Sequence, residues 1–189
     1  MQSTREDVTF IKITAAEIKS NDGYENCKFI GCDLSYANLS GILFIDCEFQ
    51  DCNLTLIDVT NAGLQNIVFK HCKLSGVNFS KSKDFLFALS FERCMLDNAI
   101  FFRKKNKGAT FNDCSMLETD LTEADLSNAK FINCNLSRAF FDRTELKNAD
   151  FRSSYNFSID PDKNSIKKTI FSLHGLPGLL EKYDIKITP

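Results

Sequence analysis

The chain has 189 residues and a formal net charge of −2 at pH 7, and its length is that of a single domain. Its longest apolar run, FLFAL at residues 85–89, is far shorter than the roughly 20 residues that a membrane-spanning helix needs. The N-terminal MQSTREDVTF carries acidic residues and no long apolar stretch, so the sequence predicts no secretory signal and a cytoplasmic protein.

Residues 1–23 do not share the periodicity of the rest of the chain. The segment VTFIKIT, residues 8–14, reads as a strand because apolar and polar residues alternate and β-branched residues are frequent. The segment AAEIKSNDG, residues 15–23, reads as a turn or an irregular first coil.

From Cys27 to Phe79 an apolar residue recurs at every fifth position. Successive pentads such as CKFIG, CDLSY and ANLSG contain a small or apolar residue, a spacer, a Leu, Phe or Val, and two further spacers. A period of five matches neither the α-helix nor the β-strand. The chain must therefore turn a corner in every repeat.

The segments CDLSYANLSG and TDLTEADLSNAKF resemble the A(D/N)LXX consensus of the pentapeptide-repeat family. This resemblance implies an all-β fold, a right-handed quadrilateral β-helix with four pentapeptides in each coil, over residues 24–156. Because the end of a solenoid exposes a strand edge, residues 1–23 are expected to form an N-terminal cap.

A coil of four pentapeptides stacks residues that are twenty positions apart, and two such columns are present in the sequence. The predicted phenylalanine column is Phe29, Phe49, Phe69, Phe91, Phe111, Phe131 and Phe151. The predicted column on the next side is Leu34, Leu54, Leu74, Leu96, Met116 and Leu136. The step from Phe69 to Phe91 is 22 residues, so two residues are inserted near residues 80–90, which we interpret as a bulge or small loop.

A second irregular segment is predicted at residues 103–108. Here Lys104 and Asn106 occupy the positions of the small and the central apolar residue. Because an unpaired charge is costly in a dry interior, we expect this segment to swing outward as a basic loop.

The eight cysteines all lie two positions before a central apolar residue, which favours a role as small buried hydrophobic residues. Disulfides between stacked coils and a metal site are less favoured alternatives, since inward parallel side chains bridge poorly and no CxxC motif is present. We expect no cofactor.

After Tyr155 the repeat pattern ends, and residues 157–189 are predicted to contain a short strand, a helix from about Leu176 to Tyr183 and a final strand. The family resemblance implies a homodimer that is joined through this C-terminal segment. The expected interface residues are apolar: Leu173, Leu176, Leu179, Leu180 and Tyr183. The alternative is that these side chains cover the terminal coil of their own chain.

No catalytic constellation is apparent. His71 and His174 are the two histidines, neither has a nucleophile at an informative spacing, and there is no glycine-rich phosphate loop. We therefore expect a protein that acts by binding and not as an enzyme.

The net charge alternates in sign along the predicted rod. Counted from the sequence, it is −5 over residues 24–60, +6 over residues 61–107 and −4 over residues 108–151. An acidic four-sided rod, with six coil steps of about 4.8 Å, resembles duplex DNA in shape and charge. The basic middle is poor DNA mimicry, however, so the rod either replaces DNA or touches DNA that another protein already holds.

The segments CNLTLIDV, FKHCKLSGVNF and FSLHGLPGLLEKYDIKI resemble the Qnr, AlbG and McbG group of pentapeptide-repeat proteins, which protect DNA gyrase. The resemblance implies protection of gyrase or topoisomerase IV from a quinolone, albicidin or microcin, without sequence-specific DNA binding or a membrane. A scaffold for another protein partner is the alternative.

Two groups of residues are candidates for partner contact. The predicted projecting loop consists of Arg103, Lys104, Lys105 and Lys107, with residues 80–90 as the second candidate. Independently of any family, Ile100, Phe102 and Phe140 lie at spacer positions where other coils carry polar residues, which predicts either an exposed partner-binding patch or local inward folding.

Overall fold

The chain folds as a four-sided parallel β-solenoid with one short C-terminal helix, which confirms the predicted fold class. The computed structural model describes residues 3–18 and 22–188. The strands, in chain order, are β1 Ser3–Glu6, β2 Thr9–Ile11, β3 Asp22–Glu25, β4 Lys28–Ile30, β5 Leu43–Ile45, β6 Glu48–Gln50, β7 Gly63–Gln65, β8 Ile67–Lys70, β9 Leu89–Glu92, β10 Thr110–Asn112 and β11 Lys130–Ile132.

Each side of the solenoid is a column of stacked pentapeptides. On the first side, seven strands pair in parallel in the order β2-β4-β6-β8-β9-β10-β11, and on the fourth side β1-β3-β5-β7 do the same. The second and third sides are joined by single parallel bridges nineteen, twenty or twenty-two residues apart, such as Asp33 to Asn53 and Asn78 to Ile100. The backbone polar groups of one coil are thus satisfied by the next.

A file of phenylalanine rings fills the first side of the interior. All seven members of the predicted column are buried. Neighbouring ring centroids lie 4.4 to 5.3 Å apart with their planes within 18° of parallel. Each such contact contributes roughly 0.5–1.5 kcal/mol beyond the burial of its area. The column of Leu34, Leu54, Leu74, Leu96, Met116 and Leu136 on the second side is also buried.

The corners between sides end in residues with positive φ, which are most often Asn or Asp. Examples are Asn26, Asp46 and Asn66, with φ of 50°, 50° and 54°, a region that these two residue types tolerate better than most others. Other Asx side chains fix a corner by hydrogen bonding. The Oδ1 of Asp58 accepts from the Thr60 hydroxyl at 2.6 Å and the Thr60 N–H at 2.9 Å, and these bonds lower the pKa of Asp58.

The solenoid is longer at both ends than the predicted residues 24–156. At the N-terminus, Phe10 stacks on Phe29 with centroids 4.8 Å apart, so the described part of the proposed cap, residues 3–18, 22 and 23, continues the coil. A 3₁₀ turn, Ala15–Glu17, follows the bridge between Thr14 and Asp33. Residues 1, 2 and 19–21 of the proposed cap lie outside the described residues.

At the C-terminus the repeat continues beyond Tyr155. Ser165 and Ile170 bridge to Glu145 and Asp150, and Phe171 stacks on Phe151 at 5.5 Å. The sequence analysis missed this coil because its second side, at residues 155–159, lacks a recognisable pentapeptide.

A short helical segment closes the C-terminal end. It consists of a 3₁₀ turn, Leu173–Gly175, the helix α1, Pro177–Leu180, and a second 3₁₀ turn, Glu181–Tyr183. A Cβ atom on Gly178 would lie 2.1 Å from the Phe157 carbonyl oxygen, so α1 docks there through glycine. The predicted final strand is not formed in residues 184–188.

Truncation of one stacked ring should destabilise the fold. We expect Phe111→Ala to lower the free energy of unfolding by about 3–5 kcal/mol, because a cavity opens between Phe91 and Phe131. Urea denaturation followed by circular dichroism measures the change. Phe140→Ala, at a ring that is 56% exposed, is the matched control and should change it by less than about 1 kcal/mol.

Candidate partner-binding loop

The two inserted residues lie on the fourth side, in a loop of residues 83–88 that we name the fourth-side loop. It leaves the coil where the Lys83 N–H donates to the Ala62 carbonyl oxygen at 2.8 Å, and it returns where the Ala88 N–H donates to the Leu64 carbonyl oxygen at 3.2 Å. Phe87 folds back into the interior and is 6% exposed. Both extra residues are therefore accommodated without breaking the columns of the other three sides.

The buried ammonium group of Lys104 lies directly against this loop. Its Nζ donates to the carbonyl oxygens of Ser82 and Lys83 at 3.0 and 3.2 Å and to Oδ1 of Asp84 at 2.7 Å. It also lies 4.2 Å from the centre of the Phe87 ring. Three donors thus meet three acceptors, which is the full donor capacity of a lysine.

Asn106 holds the returning end of the loop. Its Oδ1 accepts from the Leu89 N–H at 2.9 Å, and its Nδ2 donates to the Leu89 carbonyl oxygen at 3.1 Å. The side-chain amide thus imitates a neighbouring strand. Asn106 is 2% exposed and Lys104 is 1% exposed.

The tip of the fourth-side loop is apolar and exposed. Phe85 is 71% exposed and Leu86 is 62% exposed. Leu86 also has φ of +54°, a conformation that is uncommon for a bulky apolar residue. Because an aromatic and an aliphatic side chain are held in water on an anchored loop, the tip has the character of a protein-contact site.

The outward basic loop that the sequence predicted at residues 103–108 is not formed. The segment keeps the hydrogen bonds of a regular coil, including Asn106 N–H to the Asp125 carbonyl oxygen at 2.9 Å and Gly108 N–H to the Ser127 carbonyl oxygen at 2.9 Å. The physical reason is that the loop one coil earlier supplies acceptors for the buried ammonium group. Lys104 therefore faces the interior and cannot reach a partner.

The remaining predicted loop residues lie on the surface. Arg103 pairs with Glu123 at 2.6 Å and Lys107 pairs with Asp125 at 3.2 Å, and Lys105 is exposed. The pKa of Glu123 is lowered, first by its hydrogen bond with Arg103. These exposed pairs contribute little to stability.

The candidate patch of Ile100, Phe102 and Phe140 is divided. Ile100 and Phe140 belong to one column of the third side, but Asp120 lies between them and bridges to both. Ile100 and Phe102 are half-buried, and the Arg103 guanidinium lies 4.7 Å from the centre of the Phe102 ring. Of the three, Phe140 is the most exposed.

The C-terminal candidates fall into two groups. Leu179 packs against the core and Leu180 is half-buried. Leu173, Leu176 and Tyr183 are 83%, 42% and 57% exposed. The closing segment therefore presents apolar side chains on the outside as well as toward the last coil.

All eight cysteines are free and buried, and the described part of the chain has no group of three or more His, Cys, Asp or Glu side chains that could hold a metal ion. Burial raises the pKa of Cys47 to about 12. Within the stack, the hydrogen bond between Cys52 and Cys72 lowers the pKa of Cys52 to about 7 and raises that of Cys72. Access still limits reaction, because reagents must reach the buried sulfur.

The imidazole of His71 lies between an acidic and a basic side chain. The Nδ1 of His71 lies 3.2 Å from Oδ1 of Asp51 and its Nε2 lies 3.4 Å from the Arg93 guanidinium, all at one exposed corner. Across residues 3–18 and 22–188, no helix is both long enough and apolar enough to span a bilayer.

The sequence analysis missed that Lys104 and Asn106 hydrogen-bond to the two ends of the inserted loop. Lys104 and Asn106 follow Ser82 and Asp84 by 22 residues, the same enlarged step as from Phe69 to Phe91. Two polar residues at interior positions one coil after an insertion are the signal that could have located the loop.

Comparison with known proteins supports the repeat assignment. The family described as "Pentapeptide repeat region" matches residues 24–101, and "Pentapeptide repeats (8 copies)" matches residues 107–138 and 124–155. No curated protein sequence matches the chain.

Two solved structures illustrate the similarity of the fold. Full-length QnrB1, a plasmid-mediated fluoroquinolone resistance protein, is 17% identical with a TM-score of 0.65, and the alignment covers 97% of this chain and 100% of QnrB1. HetL, a pentapeptide-repeat protein involved in heterocyst differentiation regulation in the cyanobacterium Nostoc sp. strain PCC 7120, is 15% identical with a TM-score of 0.51. That alignment covers 89% of this chain and 86% of HetL.

The buried cysteine stack predicts unreactive thiols in the native protein. We expect DTNB to label native protein at least a hundredfold more slowly than protein in denaturant, where eight thiols per chain should react rapidly. The absorbance of released thionitrobenzoate measures both rates. Rapid labelling of one or more thiols in the native state would contradict the burial of the stack.

Proposed function

Because this chain belongs to the pentapeptide-repeat family, we propose that it is a non-enzymatic binding protein that protects a type II topoisomerase, DNA gyrase or topoisomerase IV, from a poison. The poison is a quinolone, albicidin or microcin. The fold that it shares with a fluoroquinolone resistance protein supports this proposal.

The observation that carries the proposal is the apolar tip of the fourth-side loop on an otherwise regular rod. Phe85 and Leu86 are more than 60% exposed, while the loop beneath them is hydrogen-bonded at both ends. A rigid apolar anchor of this kind binds a pocket on a partner protein with little loss of conformational entropy.

The charge pattern favours contact with the enzyme over complete replacement of DNA. The loop lies within residues 61–107, whose net charge is +6. The same part of the chain contains the exposed side chains of Lys81, Lys83 and Lys105. A basic surface attracts phosphates and does not imitate them. We therefore propose that the loop tip binds the topoisomerase while the neighbouring lysines approach DNA that the enzyme holds.

A scaffold for a different protein partner is the second candidate. The fold is shared with HetL, whose described role is in differentiation, and a solenoid surface serves many partners. The two candidates differ in one measurable property, which is direct binding to a type II topoisomerase.

A supercoiling assay tests the topoisomerase hypothesis. We expect the wild-type protein to restore supercoiling by gyrase in the presence of at least one of the three poisons. The variant Phe85→Ser/Leu86→Ser should require roughly thirtyfold more protein, the equivalent of a lost interface hot spot of about 2 kcal/mol.

The matched control carries the same change at two other exposed corner residues. Tyr36 and Leu56 are 74% and 49% exposed, and Tyr36→Ser/Leu56→Ser should leave rescue unchanged. Absence of rescue by the wild-type protein with every poison, together with absence of binding to gyrase and topoisomerase IV, would favour the scaffold. Removal of residues 103–107 is not a useful test, because it deletes part of a regular coil.

We also propose that two copies associate through the C-terminal segment. The exposed side chains of Leu173, Leu176 and Tyr183 form an apolar surface at the end of the rod, and a second copy covers it. Association there hides the last coil from further strand pairing.

The dimer is tested by introducing charge into this surface. We expect Leu173→Glu/Leu176→Glu to convert a dimer to a monomer in multi-angle light scattering, because burying two carboxylates is unfavourable. Ile11→Glu, at a residue that is 63% exposed near the opposite end, is the control. A wild-type protein that is monomeric at 100 µM, about the highest concentration practical in this measurement, would exclude a dimer of affinity tighter than about 0.1 mM.

A further inference from the structure

We infer that Lys104 and Asn106 are positioning residues for the fourth-side loop, which they hold from inside the solenoid in the conformation that exposes Phe85 and Leu86. The inference rests on the proposed function only in taking the loop tip as the partner contact. The anchoring itself is a property of this chain that is measured without a partner.

The two residues stand where most coils carry small or apolar side chains on the fourth side. The position of Lys104 is occupied by Ala62, Ala124 and Thr144 in other coils, and that of Asn106 by Leu64, Leu126 and Leu146. A buried ammonium or amide group is costly unless its hydrogen bonds are satisfied. These residues are therefore compatible with the fold only when something in the interior accepts their hydrogen bonds.

The loop supplies those acceptors, and it also needs the donors. Because the chain departs from the coil after Ser82, the carbonyl oxygens of Ser82 and Lys83 point toward Nζ of Lys104 at 3.0 and 3.2 Å. With an alanine at position 104, these oxygens would face an apolar void. Lys104 donates to the backbone oxygens that the insertion leaves without partners, and these oxygens accept the hydrogen bonds that the buried ammonium group requires.

Asn106 completes the anchor at the return of the loop. By bonding both the N–H and the carbonyl oxygen of Leu89, it fixes the first residue of β9. The loop is thus held at its start by a charge-assisted network and at its end by an amide pair. Phe85 and Leu86, at the tip, lie between these two anchors in the sequence.

Anchoring of this kind affects affinity without contact to a partner. A loop that is free in solution loses conformational entropy when its tip binds, whereas a loop already fixed does not. Loss of Lys104 should therefore weaken the proposed partner contact even though the buried ammonium group cannot reach the partner.

A double-mutant cycle tests the mutual dependence of loop and anchor. In the full-length chain, Lys104→Ala/Asn106→Leu restores the repeat consensus but leaves loop acceptors unpaired, so we expect the melting temperature to fall. In a second background, deletion of residues 85 and 86 combined with Asp84→Leu removes the insertion. There the same double substitution should raise the melting temperature, because it removes two unpaired polar groups from the interior.

The sign of the change decides the outcome. A fall in one background and a rise in the other supports the inference. The same sign in both backgrounds would overturn it, since the anchors would then act independently of the loop.

A second experiment measures positioning directly. In Lys104→Met we expect amide hydrogen exchange at Phe87 and Ala88 to accelerate at least tenfold and gyrase rescue to weaken at least tenfold. Lys147→Met, at an exposed lysine outside the basic residues 61–107, is the matched control for loss of charge and should change neither. Asp84→Asn, at a carboxylate whose side chain is 80% exposed, keeps the core intact and should show the same effect at smaller amplitude.

The outcomes separate this inference from the proposed function. Unchanged exchange in both Lys104→Met and Asp84→Asn would overturn the anchoring. Faster exchange with undiminished rescue would overturn the positioning role. If the wild-type protein rescues no topoisomerase, the proposed function fails, and the exchange rates together with the melting-temperature cycle still decide whether Lys104 and Asn106 hold the loop.

Discussion

The stacking of inward-facing side chains every twenty residues is the interaction on which the whole structure depends. The phenylalanine rings of the first side lie 4.4 to 5.3 Å apart, a separation compatible with the spacing of hydrogen-bonded strands. Ring contact and backbone pairing therefore demand the same rise per coil. A departure on one side must be absorbed on that side alone, because the other three columns keep their register.

The insertion obeys this constraint. Two extra residues would shift every later side chain if they entered a coil, but they leave the rod at the fourth side, and Phe87 folds back into the interior. The cost appears as unpaired backbone oxygens, and Lys104 satisfies them from the next coil. The polar residues at interior positions 104 and 106 depart from the repeat pattern, and they thus compensate for the two-residue insertion in residues 83–88.

The regular part of the rod and its irregular part suggest different roles. Regular coils provide a stiff frame whose exposed ion pairs, such as Arg103 with Glu123, add little stability. The fourth-side loop departs from the frame and carries Phe85 and Leu86 on a held backbone. This combination of a rigid support and an apolar tip suits recognition of a protein.

The sequence by itself identified the four-sided solenoid: its pentapeptides resemble the consensus of a family with that fold, and its twenty-residue columns agree with four pentapeptides in each coil. It also placed the insertion between Phe79 and Phe91, since the step to Phe91 is 22 residues. Only the tertiary structure decided the direction of Lys104. Its burial depends on hydrogen-bond acceptors contributed by residues 20 to 22 positions earlier. A prediction from the local sequence alone does not include these acceptors, and it therefore places the charged side chain outside. The coil beyond Tyr155 was likewise decided by contacts, namely Phe171 on Phe151, where the local pattern had faded.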